Sequence, residues 1–381
     1  MKIVIAPQGF KGSLDATRVA QAIEEGVKRA LPQAVTVLKP MADGGEGTVR
    51  ALISASGGKI VSTRVTGPLG DKVSAGWGIF PDGTSAVIEM AATSGITLIP
   101  SGRLNPLLTT TYGTGELILA ALEHGCRSII VGLGGSATND GGAGMAQAIG
   151  ARLLDKEGRD LLPGGAALIK LQHIDVSAID TRITDSEILA ATDVTNPLCG
   201  EKGSSAVYGP QKGATPEMVE QLDVALEHYA DVIKRDLGIN VTDVPGAGAA
   251  GGLGAGLLAF TGAKIISGIE VVIEASGLVA ELHDADLVFT GEGRLDGQSA
   301  YGKVPAGVAR RAKQFGVPVI AITGSLGNGY ESIYRLGVNS VLVTAPGPVS
   351  LEESMANAAP LIVDAAERAM RLFLAGRLSA H

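Results

Sequence analysis

Gly132-Leu-Gly-Gly-Ser-Ala-Thr-Asn-Asp-Gly-Gly-Ala-Gly144 is the stretch whose reading decides the fold. The run before it, Arg127-Ser-Ile-Ile-Val131, is apolar and reads as a buried strand; Met145-Ala-Gln-Ala-Ile149 after it reads as a helix. A strand that turns through glycines into a helix is the building unit of an α/β sheet. Such a turn lets backbone N–H groups converge at a helix start, which suits an anion. Beside Gly134 and Gly135, the side chains of Ser136, Thr138 and Asn139 supply further donors. Asp140 or Asn139 is placed to cap the helix, and Asp140 could reach a metal ion. A tight turn without any ligand is the competing account.

Two glycine patterns test for a dinucleotide site. Gly132-x-Gly134-x-x-Ala137 follows a strand and has Asp155 about 20 residues on, but Asn139 to Gly142 falls where that motif needs its helix already running. Gly246-x-Gly248-x-x-Gly251 follows the polar segment Asn240–Pro245 rather than a strand. No Gly-x-x-x-x-Gly-Lys-Ser/Thr sequence occurs, so the common phosphate loop is absent.

At 381 residues the chain is long enough for two or three domains of about 150 residues. Aromatics are only 3%, so Ala, Val, Ile and Leu must fill the core. A formal charge of −8 without basic clusters argues against a nucleic-acid surface. Cys126 and Cys199 are too few for a disulfide framework, and the histidines show no metal-ligand spacing. Neither a membrane span nor a cleavable signal is legible, which predicts a soluble cytoplasmic protein.

Outward from the glycine stretch, Lys2–Ala6 predicts a strand and Ser13–Leu31 a helix with Val19, Ile23, Val27 and Ala30 on one face. Lys11 and Ser13 then occupy a strand-to-helix loop, where reactive groups of α/β sheets gather. After the strand Ala34–Leu38 stand Asp43 and Glu46, which could hold Mg²⁺ or cap a helix. From residue 60 the texture changes to short strands, Val61–Val65, Lys72–Trp77 and Ala86–Met90, the last two joined by a turn at Pro81–Thr84. Asp193 ends the strand Ile188–Ala191; it is placed for general-base or metal work, or merely turns the chain before Pro197. Alternation of strand and helix returns at Ala285–Phe289, followed by a loop carrying Glu292, Arg294, Asp296 and Lys303. The expected fold is therefore α/β: a doubly wound parallel-sheet domain built from both termini, with a mixed α/β domain inserted. The boundaries expected are 1–58 with 285–381, and 59–284, the active site lying in a cleft between them.

Together these motifs resemble the type I glycerate kinases of bacteria, over nearly the whole chain. The resemblance rests on Phe10-Lys-Gly-Ser-Leu14, Ala42-Asp-Gly-Gly-Glu-Gly-Thr48, Tyr112-Gly-Thr-Gly-Glu-Leu117 and Gly134 to Gly142. It continues through Asp193-Val-Thr-Asn-Pro197, Tyr208-Gly-Pro-Gln-Lys-Gly213, Gly248 to Gly254, and Thr290-Gly-Glu-Gly-Arg294 with Asp296. It implies a Rossmann-like domain joined to a family-specific α/β domain, with Mg²⁺-dependent transfer from ATP to D-glycerate. The members it looks most like make 2-phosphoglycerate. Alternatives are a kinase making 3-phosphoglycerate, and a nicotinamide-dependent hydroxy-acid dehydrogenase.

On this reading Asp193 and Lys11 are catalytic. Ser13, Gly134, Gly135, Ser136, Thr138, Asn139, Arg294 and Lys303 bind ATP or substrate, and Asp43, Glu292 and Asp296 bind metal. Arg294, then Lys303, is the candidate for the glycerate carboxylate, with a surface ion pair as the competing role for each. The partners expected are D-glycerate and ATP, with no nucleic acid or membrane, for a monomer or homodimer. One departure stands out: the family's Pro-Asp-Ser-Phe-Lys is here Pro7-Gln8-Gly9-Phe10-Lys11. If the missing Asp helps hold metal, this chain binds metal more weakly or with shifted ligands.

Overall fold

The computed structural model describes residues 1–378 apart from 46, 101, 301 and 302. Two compact units account for them, one of Met1–Asp43 with Ile269–His381, the other of Gly44–Gly268. In chain order the strands are β1 (Lys2–Ile5), β2 (Val35–Leu38), β3 (Lys59–Thr66), β4 (Lys72–Ile79), β5 (Ser85–Glu89), β6 (Ser128–Gly132) and β7 (Arg152–Leu154). There follow β8 (His173–Asp175), β9 (Glu187–Ala191), β10 (Lys264–Ile266), β11 (Leu287–Leu295), β12 (Val319–Leu326) and β13 (Ser340–Val343).

The first unit is a five-stranded sheet, β13-β12-β11-β1-β2, parallel at every pairing. Ile3 pairs with Leu287 and Ile5 with Phe289, so the two ends of the chain meet in its middle. The four apolar side chains just named lie on one face, under Val19, Ile23 and Val27 of helix Ala16–Ala30 and Ile362, Ala366 and Met370 of helix Ala358–Leu378. Gly26 allows those two helices to touch, because a Cβ there would fall 2.2 Å from the Val363 carbonyl. Val4 and Val288 project from the opposite face and are equally buried, and helix Val304–Gln314 packs on β11. Helices on both faces make this a doubly wound sheet.

The second unit is a mixed sheet, β10-β9-β6-β5-β4-β3. Strands β5, β6, β9 and β10 are parallel, whereas β3-β4-β5 is an antiparallel meander. Its core is led by Trp77, Leu117, Tyr229 and Leu253, with β7 and β8 as a small separate ribbon.

Both junctions fall away from residues 58 and 285. Helix Thr48–Ser56 goes with the second unit: Val49 N–H donates to Glu89 Oε1 at 2.6 Å, and Ile53 fills the space above Gly78. Helices Gly268–Ser276 and Leu278–Leu282 go with the first: Lys39 Nζ donates to the Ser276 carbonyl at 2.7 Å, and Lys2 pairs with Glu281 at 3.0 Å. Thr290–Arg294, expected as loop, continues β11, with Glu292 opposite Thr323 and Arg294 opposite Ser325. Gly291 permits this, since any Cβ would strike the Ile322 carbonyl at 2.0 Å. Among the described residues no helix is long and apolar enough to cross a membrane.

Candidate active site

The sheet order of the first unit puts β1 between β2 and β11. The chain leaves β1 toward one edge and returns on its other side, so a crevice opens beyond the carboxyl ends of β1 and β11. A cavity of about 430 Å³ occupies that position. Gln8, Lys11 and Ser13 line it from the end of β1, Glu292, Arg294 and Asp296 from β11, and Ser325 and Thr344 from the ends of β12 and β13. Asp43 and Lys303 complete the polar lining, and Phe10, Leu351 and Met355 add apolar surface.

Glu292 and Arg294 are two apart on a strand and therefore share a face. Glu292 is only 7% exposed; its Oε2 lies 3.8 Å from Lys303 Nζ, and its Oε1 has no hydrogen-bond partner. Burial pushes this carboxyl up to about 7, opposed by the Lys303 charge and by Ser299, and reinforced by Asp43 and Asp296. Lys303 is set directly before helix Val304–Gln314, whose Pro305 suits its first turn. Arg294 Nε stands 3.7 Å from Asp296 Oδ2, so each proposed binding cation already has a carboxylate neighbour. Gln8 is 8% exposed and its Oε1 is likewise unpartnered. Ser13 Oγ donates to the Met355 carbonyl at 3.0 Å, which ties the β1 loop to helix Leu351–Ala356.

Among the described residues no three carboxylates, histidines or cysteines converge as a metal cage. Asp43, Glu292 and Asp296 share a pocket without closing around a point, and Glu46 lies outside the described residues. This arrangement fits a Mg²⁺ that arrives with a nucleotide, which takes one or two protein carboxylates and completes its shell with phosphate and water. The unpartnered Glu292 and Gln8 oxygens are the acceptors such a cation would find.

The glycine stretch that led the sequence reading behaves differently. Its helix, Ala143–Ala148, has its N-terminus filled by the chain itself: Asp140 accepts from the N–H groups of Gly142 and Gly144 at 3.1 and 3.2 Å. Asp140 also takes two bonds from Thr111 at 2.8 Å and is fully enclosed, so it serves as a cap and cross-brace rather than a metal ligand. Gly132 and Gly134 are required by close packing, since a Cβ on either would sit 2.4 Å from the Gly44–Gly45 backbone. The Gly134 N–H itself donates to the Gly44 carbonyl. Thr138 and Asn139, expected to face a ligand, are wholly buried; Asn139 Nδ2 donates to Ser205 Oγ at 3.0 Å. Ser136 is also buried, and of this loop Gly135 alone is exposed. The expected anion seat is thus occupied by the protein's own carboxylate.

Lys212, which the sequence reading passed over inside Tyr208–Gly213, secures the same knot. It is fully buried, its Nζ donates to the Thr138 carbonyl at 2.6 Å, and burial pulls its pKa down to about 7 against the opposing pull of Asp140. Asp193 follows β9 as expected, half-buried, and accepts from Ser267 Oγ at 2.6 Å; Ser267 itself follows the neighbouring parallel strand β10. It belongs to the second unit. The second dinucleotide-like pattern, Gly246–Gly251, is a tight entry into helix Ala249–Thr261, with Ala250 at φ +53°.

The glycerate kinase family model matches residues 3–374. The chain belongs to the glycerate kinase family. A glycerate 2-kinase of Escherichia coli K12 is 53% identical over 358 residues, 94% of each chain, and a glycerate kinase of Halalkalibacterium halodurans is 52% identical over 96% of each. The crystal structure of a presumed glycerate kinase 2 from Salmonella typhimurium LT2 superposes with a TM-score of 0.84 over 99% of both chains, at 51% identity. As a glycerate kinase family member the chain is a kinase, and the dehydrogenase alternative falls away. Within this glycerate kinase family member, the strand-end cavity gathers Lys11, Ser13, Asp43, Glu292, Arg294, Asp296 and Lys303, all of the first unit. Leu351 and Met355 escaped the sequence reading, although Ser350-Leu-Glu-Glu353 carries a helix-start signal: Ser350 Oγ accepts from Glu353 N–H at 3.1 Å.

Proposed function

We propose that the protein transfers the γ-phosphoryl group of MgATP to O2 of D-glycerate, releasing ADP and 2-phosphoglycerate. The observation that carries this reading is the cavity at the β1–β11 crossing, where Lys11, Arg294 and Lys303 meet Asp43, Glu292 and Asp296 in a glycerate kinase family member. Phosphoryl transfer asks a protein mainly to position two substrates and to set cations against the moving charge. Lys11 and Lys303 supply those cations. One or two of Asp43, Glu292 and Asp296 would hold Mg²⁺, which would neutralise phosphate charge. Asp193 accepts the proton of the attacking hydroxyl, late in the step, and Ser267 orients it. Gly135 is the part of the glycine loop left to meet a ligand.

Transfer to O2 follows the name of the Escherichia coli relative, and the absence of a membrane-spanning helix among the described residues suits a cytoplasmic enzyme of small metabolites. A coupled ADP-release assay over a panel of hydroxy acids, with the product identified by phosphorus NMR, tests it. D-glycerate should stand out from the panel. No ADP release from folded protein with D-glycerate and Mg²⁺ would overturn the reading, and 3-phosphoglycerate as product would overturn the regiochemistry.

A further inference from the structure

The same cavity has a side that a three-carbon acid cannot use. Leu351 and Met355 lie four apart on one short helix and so share a face, and both line the cavity. Leu351 is 77% exposed, a large apolar side chain left in water beside a site that also holds Lys11, Asp43, Glu292, Arg294, Asp296 and Lys303. We propose that this cavity is the nucleotide subsite, with the adenine base lying on Leu351 and Met355 and the phosphates directed to Lys11 and Lys303. The assignment rests on the kinase reading above and adds which substrate the cavity takes.

Size and chemistry agree. Cavities of about 300–1,000 Å³ enclose drug-sized ligands, and 430 Å³ is far more than glycerate fills. A purine offers a flat apolar face that would cover Leu351, and its ring makes favourable contacts with a methionine sulfur. Glycerate, a carboxylate with two hydroxyls, has no such face. The wall and the phosphate side are mechanically joined, since Ser13 Oγ holds the Met355 carbonyl at 3.0 Å two residues from Lys11. Lys11 is exposed and makes no ion pair with another described residue, so its charge is free for phosphate. The N-terminus of helix Ala16–Ala30 does not compete for that phosphate, because Asp15 already caps it at Arg18 N–H. Among the lining residues, two oxygens of side chains more than nine-tenths buried, Gln8 Oε1 and Glu292 Oε1, lack hydrogen-bond partners. A nucleotide arriving with Mg²⁺ and its waters supplies them.

Calorimetric titration of the full chain with MgADP and with Mg-tripolyphosphate, which keeps the phosphates and lacks the base, separates the parts. Leu351→Ala and Met355→Ala together should weaken MgADP binding about 10-fold, the size of one lost base-stacking contact, and leave tripolyphosphate binding within about two-fold. Leu351→Ala alone, at a solvent-exposed position, should show the same selectivity at smaller size if the double variant folds poorly. Unchanged MgADP affinity, or equal loss for both ligands, would overturn the assignment. Wild-type protein that releases ADP with glycerate while the wall variants bind MgADP normally refutes the subsite and not the reaction. Selective loss of MgADP in a protein that never phosphorylates glycerate does the reverse.

Discussion

Lys303 Nζ stands 3.8 Å from Glu292 Oε2, and the buried Glu292 Oε1 has no hydrogen-bond partner. The lysine charge opposes the burial that pushes this carboxyl up to about 7. Lys303→Met should therefore lower kcat/KM for ATP by about 10²-fold, the scale of losing one charge-stabilising donor, and Lys303→Arg should recover part of it. Steady-state ADP release checks this; equal activity of the Met and wild-type proteins would remove Lys303 from the phosphate site.

Gln8 gives a second prediction, about metal. Gln8→Asp places a further carboxylate beside Glu292 and Asp43. The Mg²⁺ concentration for half-maximal rate should fall. Without Mg²⁺ the variant should melt below wild type, because like charges are crowded in a poorly hydrated space, and added Mg²⁺ should close the gap. An unchanged Mg²⁺ dependence would show that position 8 is remote from the metal.

Asp193→Asn should keep the fold and lose turnover. The Oδ1 of an asparagine can still accept the bond that Ser267 Oγ makes at 2.6 Å, so the protein should stay folded. Turnover should fall on the order of 10²-fold or more, as when a general base loses its charge. Near-normal turnover in the folded Asp193→Asn protein would pass the role of base to Asp43 or Asp296.

Lys212 makes stability depend on pH in a direction opposite to that of a lysine held charged by a partner. Its ordinary pKa of 10.5 is pulled down to about 7 in the fold. Between those values the unfolded chain holds the proton and the folded chain does not, so stability rises with pH. Below about pH 7 the full cost of burying the charge remains. Lys212→Met removes the titration, hence the melting temperature of wild type should gain on that of the variant as pH goes from about 7 to about 9. Parallel curves would mean that Asp140 keeps the lysine charged.

Gly26→Ala tests the packing of the first unit. A Cβ 2.2 Å from the Val363 carbonyl must push helices Ala16–Ala30 and Ala358–Leu378 apart, and overpacking of this kind costs about 1–3 kcal/mol. Chemical denaturation should show that loss; a neutral result would mean the helices separate freely.

The sequence by itself determined the elements and the family. Period-2 and period-3.6 patterns are local, so β1, β6, β9 and the apolar face Val19, Ile23, Val27 were all legible, and so was the return of strand–helix alternation after residue 285. The change of texture at residue 60 showed in the antiparallel meander β3-β4-β5. What only the tertiary structure decided is which polar groups are enclosed within the fold. Gly132 to Gly144 reads as an anion seat until Asp140 is seen filling the helix start, and Thr138 and Asn139 read as donors until they are found enclosed. Lys212 was invisible as a buried base because its side-chain bond spans 74 residues of chain. The same reason hid the pocket: Gln8, Glu292 and Met355 belong to distant segments, and residue spacing carries no information about neighbours that close only when a parallel sheet brings strand ends side by side.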